Sequence, residues 1–372
     1  MKQNGWSDLN LNHVIDYIEK VDGKIILGID GFIDQVWQVI ETRISKDEYK
    51  IIDKMRQFGE IIVNRGGGGM ANELIKKRRS CGGFTANTGR VIGNLGLSPI
   101  LLGMYGKDAV DPIFNEFKEK CTLINVGEPV ISNILEFSDG KIMMPYLKEL
   151  LDFDWNELVS ILGYENLKMI FADADIVSLG YWSNMPGFDE LITNIYDNYL
   201  IENNTKRMFF DFANIKKRSV EAIKETFNVL GGLNNRIPMT LSLNEHEAVL
   251  LFSYFDEEIT ENLEQVGIAA ASIREKINLD EIIIHTPHYA LAASKSEGTA
   301  FMVQDYCLSP VVTTGAGDTF NGGYIASCLN NLNISEKLAI SNAATRFYVN
   351  NGFPPDRNQL IEEIKRLTEK LS

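Results

Sequence analysis

Toward the C-terminal end of the chain, residues 311–326 read VVTTGAGDTFNGGYIA. A single carboxylate, Asp318, follows the turn Gly315-Ala316-Gly317, and small and apolar residues then recur at helical spacing to about residue 330. Glycines let a backbone turn sharply and bare its N–H groups. The start of a helix adds unpaired donors and the positive end of the dipole. Such a turn can hold a phosphoryl group as negative charge develops on it. Asp318 can take the proton of an attacking hydroxyl. It can equally be a helix cap, and the remaining residues must decide.

Three further stretches offer chemistry. Asp30 and Asp34 lie beyond an apolar run ending GID, where paired carboxylates suit the hydroxyls of a sugar or polyol; a turn cap is the alternative for either. Gly82 and Gly83 precede a helical pattern that carries Asn87, a partner for a ligand hydroxyl, and Arg90 one turn on. Asn244 and Glu247 sit three apart after another apolar run, sharing a face if a helix starts there. An amide and a carboxylate so placed can hold the water shell of Mg2+, or form an acidic first helical turn.

The elements that must carry these residues follow from apolar patterning. Residues 24–29, 99–104, 176–181, 207–212, 238–243 and 281–286 read as buried strands. Helical patterns fall at 86–95, 188–200, 219–230, 245–252 and 263–277. This alternation predicts an α/β fold, a doubly wound and mainly parallel sheet with helices on both faces. Ligands of such sheets bind beyond the carboxyl ends of the strands. The candidate residues at 30, 244 and 286 fall there. Excursions at about 35–80 and 125–146 break the rhythm; we expect one domain over 1–372, with the excursions forming a small lid. The first contains RGGGGM at 65–70 and the basic run Lys76-Lys77-Arg78-Arg79.

Charge and composition narrow the partners. With 36 basic and 51 acidic residues the net charge is −15, which disfavours nucleic acid and anionic membranes. An anionic small molecule is compatible with a locally positive site. The four cysteines form no CxxC pair, so neither zinc nor a disulfide framework is expected. The first residues lack the apolar core of a signal peptide, and no run approaches a membrane span, so a cytoplasmic protein is expected.

Taken in order, a first-strand aspartate, GGxxxN at 82–87, NxxE at 244–247 and TTGAGDTF at 313–320 resemble the PfkB or ribokinase-like carbohydrate kinases, over roughly residues 24–350. The resemblance implies a cytoplasmic kinase that moves the terminal phosphoryl group of a nucleotide to a hydroxyl of a sugar or sugar-like acceptor. It implies Asp318 as base, Gly315, Ala316 and Gly317 as anion hole, and Asp30, Asp34, Gly82, Gly83, Asn87 and Arg90 on the acceptor. It further implies Asn244, Thr286, Thr314 and Gly317 on the nucleotide, and Asn244 with Glu247 around Mg2+, largely through water. ATP is the implied donor, with ADP as alternative. A homodimer through the lid is the implied assembly. Val312 stands where many relatives have an aspartate that helps bind a monovalent cation; valine offers no oxygen, so potassium dependence is not expected. The glycines of a nucleotide loop are missing from HTPHYA at 285–290. A silent binding protein on the same fold, an ADP-dependent sugar kinase and a nucleoside kinase are the alternative readings.

Overall fold

The computed structural model describes residues 5–203, 205–260 and 262–372. In chain order its strands are β1 (Ile25–Ile29), β2 (Phe32–Arg43), β3 (Tyr49–Ile51), β4 (Leu74–Gly82), β5 (Ile100–Met104), β6 (Thr122–Gly127), β7 (Val130–Phe137), β8 (Gly140–Pro145), β9 (Ile176–Gly180), β10 (Arg207–Asp211), β11 (Met239–Asn244), β12 (Glu281–His285), β13 (Tyr289–Ser294) and β14 (Gly298–Val303). Nine of them form the main sheet, in the order β14-β13-β12-β11-β10-β9-β1-β5-β6. From β12 to β6 every pairing is parallel, while β13 and β14 add an antiparallel hairpin at one edge. The six apolar runs read as strands are six of the seven parallel strands; the seventh, β6, includes residues 125–127, which the sequence reading placed in an excursion.

Side chains alternate across the sheet, as its pleat requires. Phe209 and Ile283 enter one core, and Phe210, Ile282 and Ile284 enter the other. Helices therefore cover both faces, and the strands are apolar along their whole length. Helix Ala316–Ser327 packs on helix Phe84–Asn94, where Gly322 makes room: a Cβ there would stand 2.7 Å from Cβ of Val91. Its far end is anchored through Tyr324, whose hydroxyl donates to Glu281 at 3.1 Å. Glu281 is only 1% exposed. Lys337 and Arg207 balance its charge at 3.0 and 3.2 Å, as a buried carboxylate requires.

The second sheet leaves the main one just past β1. β2 pairs β4 antiparallel and β7 parallel, β7 pairs β8 antiparallel, and β3 extends β2. Its own core is small: Val39, Ile52, Phe58, Leu135 and Phe137. It stands over the carboxyl ends of the central parallel strands, and β8 carries Lys141 to the hydroxyl of Thr314. No helix of the described residues is long and apolar enough to cross a membrane.

Candidate active site

Five parallel strands end in polar residues that converge: Asp30 after β1, Tyr181 after β9, Asp211 closing β10, Asn244 closing β11, and His285 closing β12. Facing them is the N-terminus of helix Ala316–Ser327. Gly315 caps it in the left-handed conformation, φ +83°, which a side chain would strain.

Asp318 lies in the first turn of this helix and is only 8% exposed. It does not cap the helix. Its Oδ2 accepts from Nδ2 of Asn87 at 2.8 Å, and its Oδ1 accepts from the Tyr181 hydroxyl at 2.9 Å. Burial pushes its carboxyl up to about 6, against the pull of the Asn87 and Tyr181 hydrogen bonds and the Arg90 charge. At neutral pH it is ionised and poised to accept a proton.

A cavity of about 710 Å³ opens on one side of Asp318. Asn244, Glu247, Thr286, Gly315, Ala316 and Gly317 line it together with Tyr181, Asp211 and His285. Asn244 and Glu247 form a reciprocal capping box: Asn244 Oδ1 accepts from the Glu247 N–H at 3.1 Å, and Glu247 Oε2 accepts from the Asn244 N–H at 3.0 Å. The cap reading of NxxE is realised, and both residues also line the cavity. Burial and the charge of Asp211 raise the Glu247 carboxyl; burial and the charge of Asp318 raise Asp211. Thr286 spends its hydroxyl on the tight β12–β13 turn, accepting from the N–H groups of His288 and Tyr289 at 3.0 Å each. Thr314 sits at the edge, its carbonyl accepting from the Tyr348 hydroxyl at 2.7 Å.

The residues expected at the acceptor do not line this cavity, and they divide. Asp34 on β2 stands beside Gly82, where a Cβ would lie 2.9 Å from its Oδ2. Burial raises its carboxyl, with Lys141 the leading opposing charge. Asp30 takes up the cap role given above as its alternative. It is fully buried, and its oxygens accept from the N–H groups of Phe84 and Thr85 at 2.8 Å. Gly83 at the N-cap has no side chain to offer, so Asp30 caps helix Phe84–Asn94 from outside it. Glu116, Cys81 and Asn87 engage the Arg90 guanidinium. The basic run is likewise partnered. Lys77 and Arg78 pair with Glu136, Arg79 pairs with Asp111, and Lys76 lies 5.1 Å from the centre of the Trp37 ring.

Several residues of the site escaped the sequence reading. Tyr181, Lys141 and Glu116 carry no local signal. Asp211 does: it is a carboxylate in the otherwise apolar run RMFFDF, which a buried strand tolerates only with partners. Those are Nδ2 of Asn321 at 2.7 Å and the Ala213 N–H at 2.7 Å.

A doubly wound sheet with a small accessory sheet, and a carboxylate beside a glycine turn at a helix N-terminus, define a ribokinase-like (PfkB) carbohydrate kinase, a phosphotransferase with an alcohol group as acceptor. The sequence model of the prokaryotic ketohexokinase family matches residues 16–367, and the chain belongs to that family. It is 24% identical over 347 residues to a ketohexokinase of Haloferax volcanii, covering 92% of this chain and 91% of that protein. Among solved structures it resembles an Arabidopsis thaliana ribokinase complexed with ribose and ATP, with TM-score 0.63 and 18% identity over 93% of this chain and 99% of that one. It also resembles an E. coli protein described as a ribokinase II, in complex with ATP and Mg2+, with TM-score 0.62 and 14% identity over 93% of this chain and all (100%) of that one.

Proposed function

We propose that this protein transfers the terminal phosphoryl group of ATP to a hydroxyl of an unphosphorylated ketohexose. The observation that carries the reading is Asp318, a buried ionised carboxylate held between Asn87 and Tyr181 at the mouth of a glycine turn, in a chain of the ketohexokinase family. The ketohexokinase family match, with an Arg90 guanidinium already engaged by Glu116, Cys81 and Asn87, favours a neutral acceptor over a sugar phosphate.

In this reading the nucleotide occupies the 710 Å³ cavity, with its phosphates toward residues 315–317. The helix N–H groups there stabilise the charge that builds on the transferring phosphoryl group. Asp34 orients acceptor hydroxyls under the second sheet, which acts as a lid. Asp318 takes the proton of the attacking hydroxyl as the hydroxyl oxygen bonds to the terminal phosphorus, in line with the departing ADP. Lys141 brings a cation from the lid to the edge of the turn. Asp211 and Glu247, buried carboxyls short of compensating charge, fit a divalent cation nearby. Among the described residues no group of three or more His, Cys, Asp or Glu forms a cage, which fits Mg2+ held largely through water. Mg2+ would supply charge neutralisation of the phosphates. Assembly as a homodimer through the lid is part of the same reading, supported by exposed Leu74, Met143, Met144 and Tyr146.

The test is a transfer assay with Mg2+, with ATP and ADP in turn, against fructose, fructose phosphates, ribose and nucleosides. Fructose with ATP is expected to react fastest. Asp318→Asn is expected to lower kcat by about 10²–10⁴-fold while leaving nucleotide binding in place. Turnover that survives this substitution would remove Asp318 from the base role, and preference for another acceptor would overturn the ketohexose assignment.

A further inference from the structure

Arg90 lies one turn along helix Phe84–Asn94 from Asn87. Its Nε donates to Oε2 of Glu116 at 3.1 Å and its Nη2 to Oε1 at 3.0 Å. Nη2 also reaches Sγ of Cys81 at 3.0 Å, and the guanidinium carbon lies 5.3 Å from the centre of the Phe117 ring. Nη1 donates to Oδ1 of Asn87 at 3.0 Å.

These contacts have a direction. A guanidinium can only donate, so the Asn87 amide must present its oxygen to Arg90. Its nitrogen is then turned toward Asp318, where it donates to Oδ2 at 2.8 Å. An ionised carboxylate can only accept. Each link therefore dictates the next, from Glu116 through Arg90 and Asn87 to the base.

We propose that Arg90 is a positioning residue for phosphoryl transfer, locking the Asn87 amide with Nδ2 on Asp318, and that Glu116 sets how much of its charge Asp318 feels. The inference rests on Asp318 being the base. A structural ion pair on the surface of the same helix would touch Glu116 alone. Here one arm of the fork is committed to the residue that holds the base.

The other titratable groups facing Asp318 are Asp30 beyond β1, Tyr181 beyond β9, Asp211 on β10, Glu247 on helix Glu245–Tyr254 and Tyr348 on helix Ile334–Asn351. His285 approaches the same helix turn at Gly317. Arg90 is the cation in this set acting on Asp318.

The experiment is the pH profile of kcat, with fructose and ATP, for wild type, Arg90→Met, Arg90→Lys and Glu116→Gln. Arg90→Met removes a positive charge and frees the amide. Its acid limb should move up by about one pH unit, and its plateau kcat should fall about 10- to 100-fold with little change in KM for fructose. Glu116→Gln removes a negative charge while keeping an acceptor for Arg90. Its acid limb should move the opposite way, downward, with most of kcat kept. Arg90→Lys keeps the charge but not the fork, so its limb should stay near wild type while its kcat drops.

Coincident limbs in all variants, or shifts of one sign in Arg90→Met and Glu116→Gln, would reduce Arg90 to a structural anchor and overturn the proposal. If Arg90→Met fails to fold, the downward shift in Glu116→Gln still decides. Wild-type turnover in Asp318→Asn would sink the base assignment itself, a result separate from anything the Arg90 variants report.

Discussion

Burial holds the Asp318 carboxyl up to about 6, and the base role proposed for it needs the ionised form. kcat should therefore fall about tenfold per unit as pH drops below that value, and level off above it. Stability should run the other way. Asp211, Glu247 and Asp318 all have carboxyls raised above their ordinary range in the folded chain. The folded state then binds more protons than the unfolded one between the ordinary and the raised values, so stability is lost as pH rises through the raised values. The melting temperature should be higher at about pH 7 than at about pH 8.5, and Mg2+ should narrow the gap by charging against Asp211 and Glu247. Below about 6.5 the burial-lowered His285 opposes this trend. A melting temperature flat across that range, with or without Mg2+, would contradict the account. Asp318, Asn87, Asn244 and Glu247 were legible in the sequence because each sits within a turn or two of a helix start that short-range spacing reveals. The fates of Asp30 and Arg90 were not, since their partners at 84–85 and 116 arrive through tertiary approach.

At the scale of elements, the parallel strands were legible because burial on both faces makes them continuous apolar runs. The second sheet was legible only as an interruption. β2 and β7 mix buried with half-exposed positions, and β4 is largely exposed, so neither strict alternation nor an apolar run marks them. The helix Ile334–Asn351 is buried for most of its first eleven residues, leaving no stripe to read. Five buried apolar side chains are a small core for a sheet of this size. Amide hydrogen exchange should be faster in β2, β3, β7 and β8 than in β9–β12, and fructose with a nucleotide should slow it there. Equal protection of the two sheets, unaltered by ligands, would remove the lid from the mechanism.

As a whole molecule the chain carries −15 charges, so two copies approach one another against their own repulsion. In the proposed dimer apolar contact would offset that repulsion, with Leu74, Met143, Met144 and Tyr146, exposed on or beside the second sheet, as its candidates. Sedimentation velocity should show a two-chain particle that Met143→Glu with Met144→Glu disperses; a single-chain wild type would end the dimer reading. Lys141 has a different consequence at this scale. It is borne by one sheet, and Thr314 belongs to the body of the other. In the proposed function the cation at the phosphate end of the site is therefore lent by a second element, and depends on how the two sheets sit together. On that reading a sugar held under the small sheet would keep the cation on the nucleotide, and a nucleotide holding that cation would keep the sugar covered. Linkage makes the two effects equal: the two substrates would then tighten each other by one common factor.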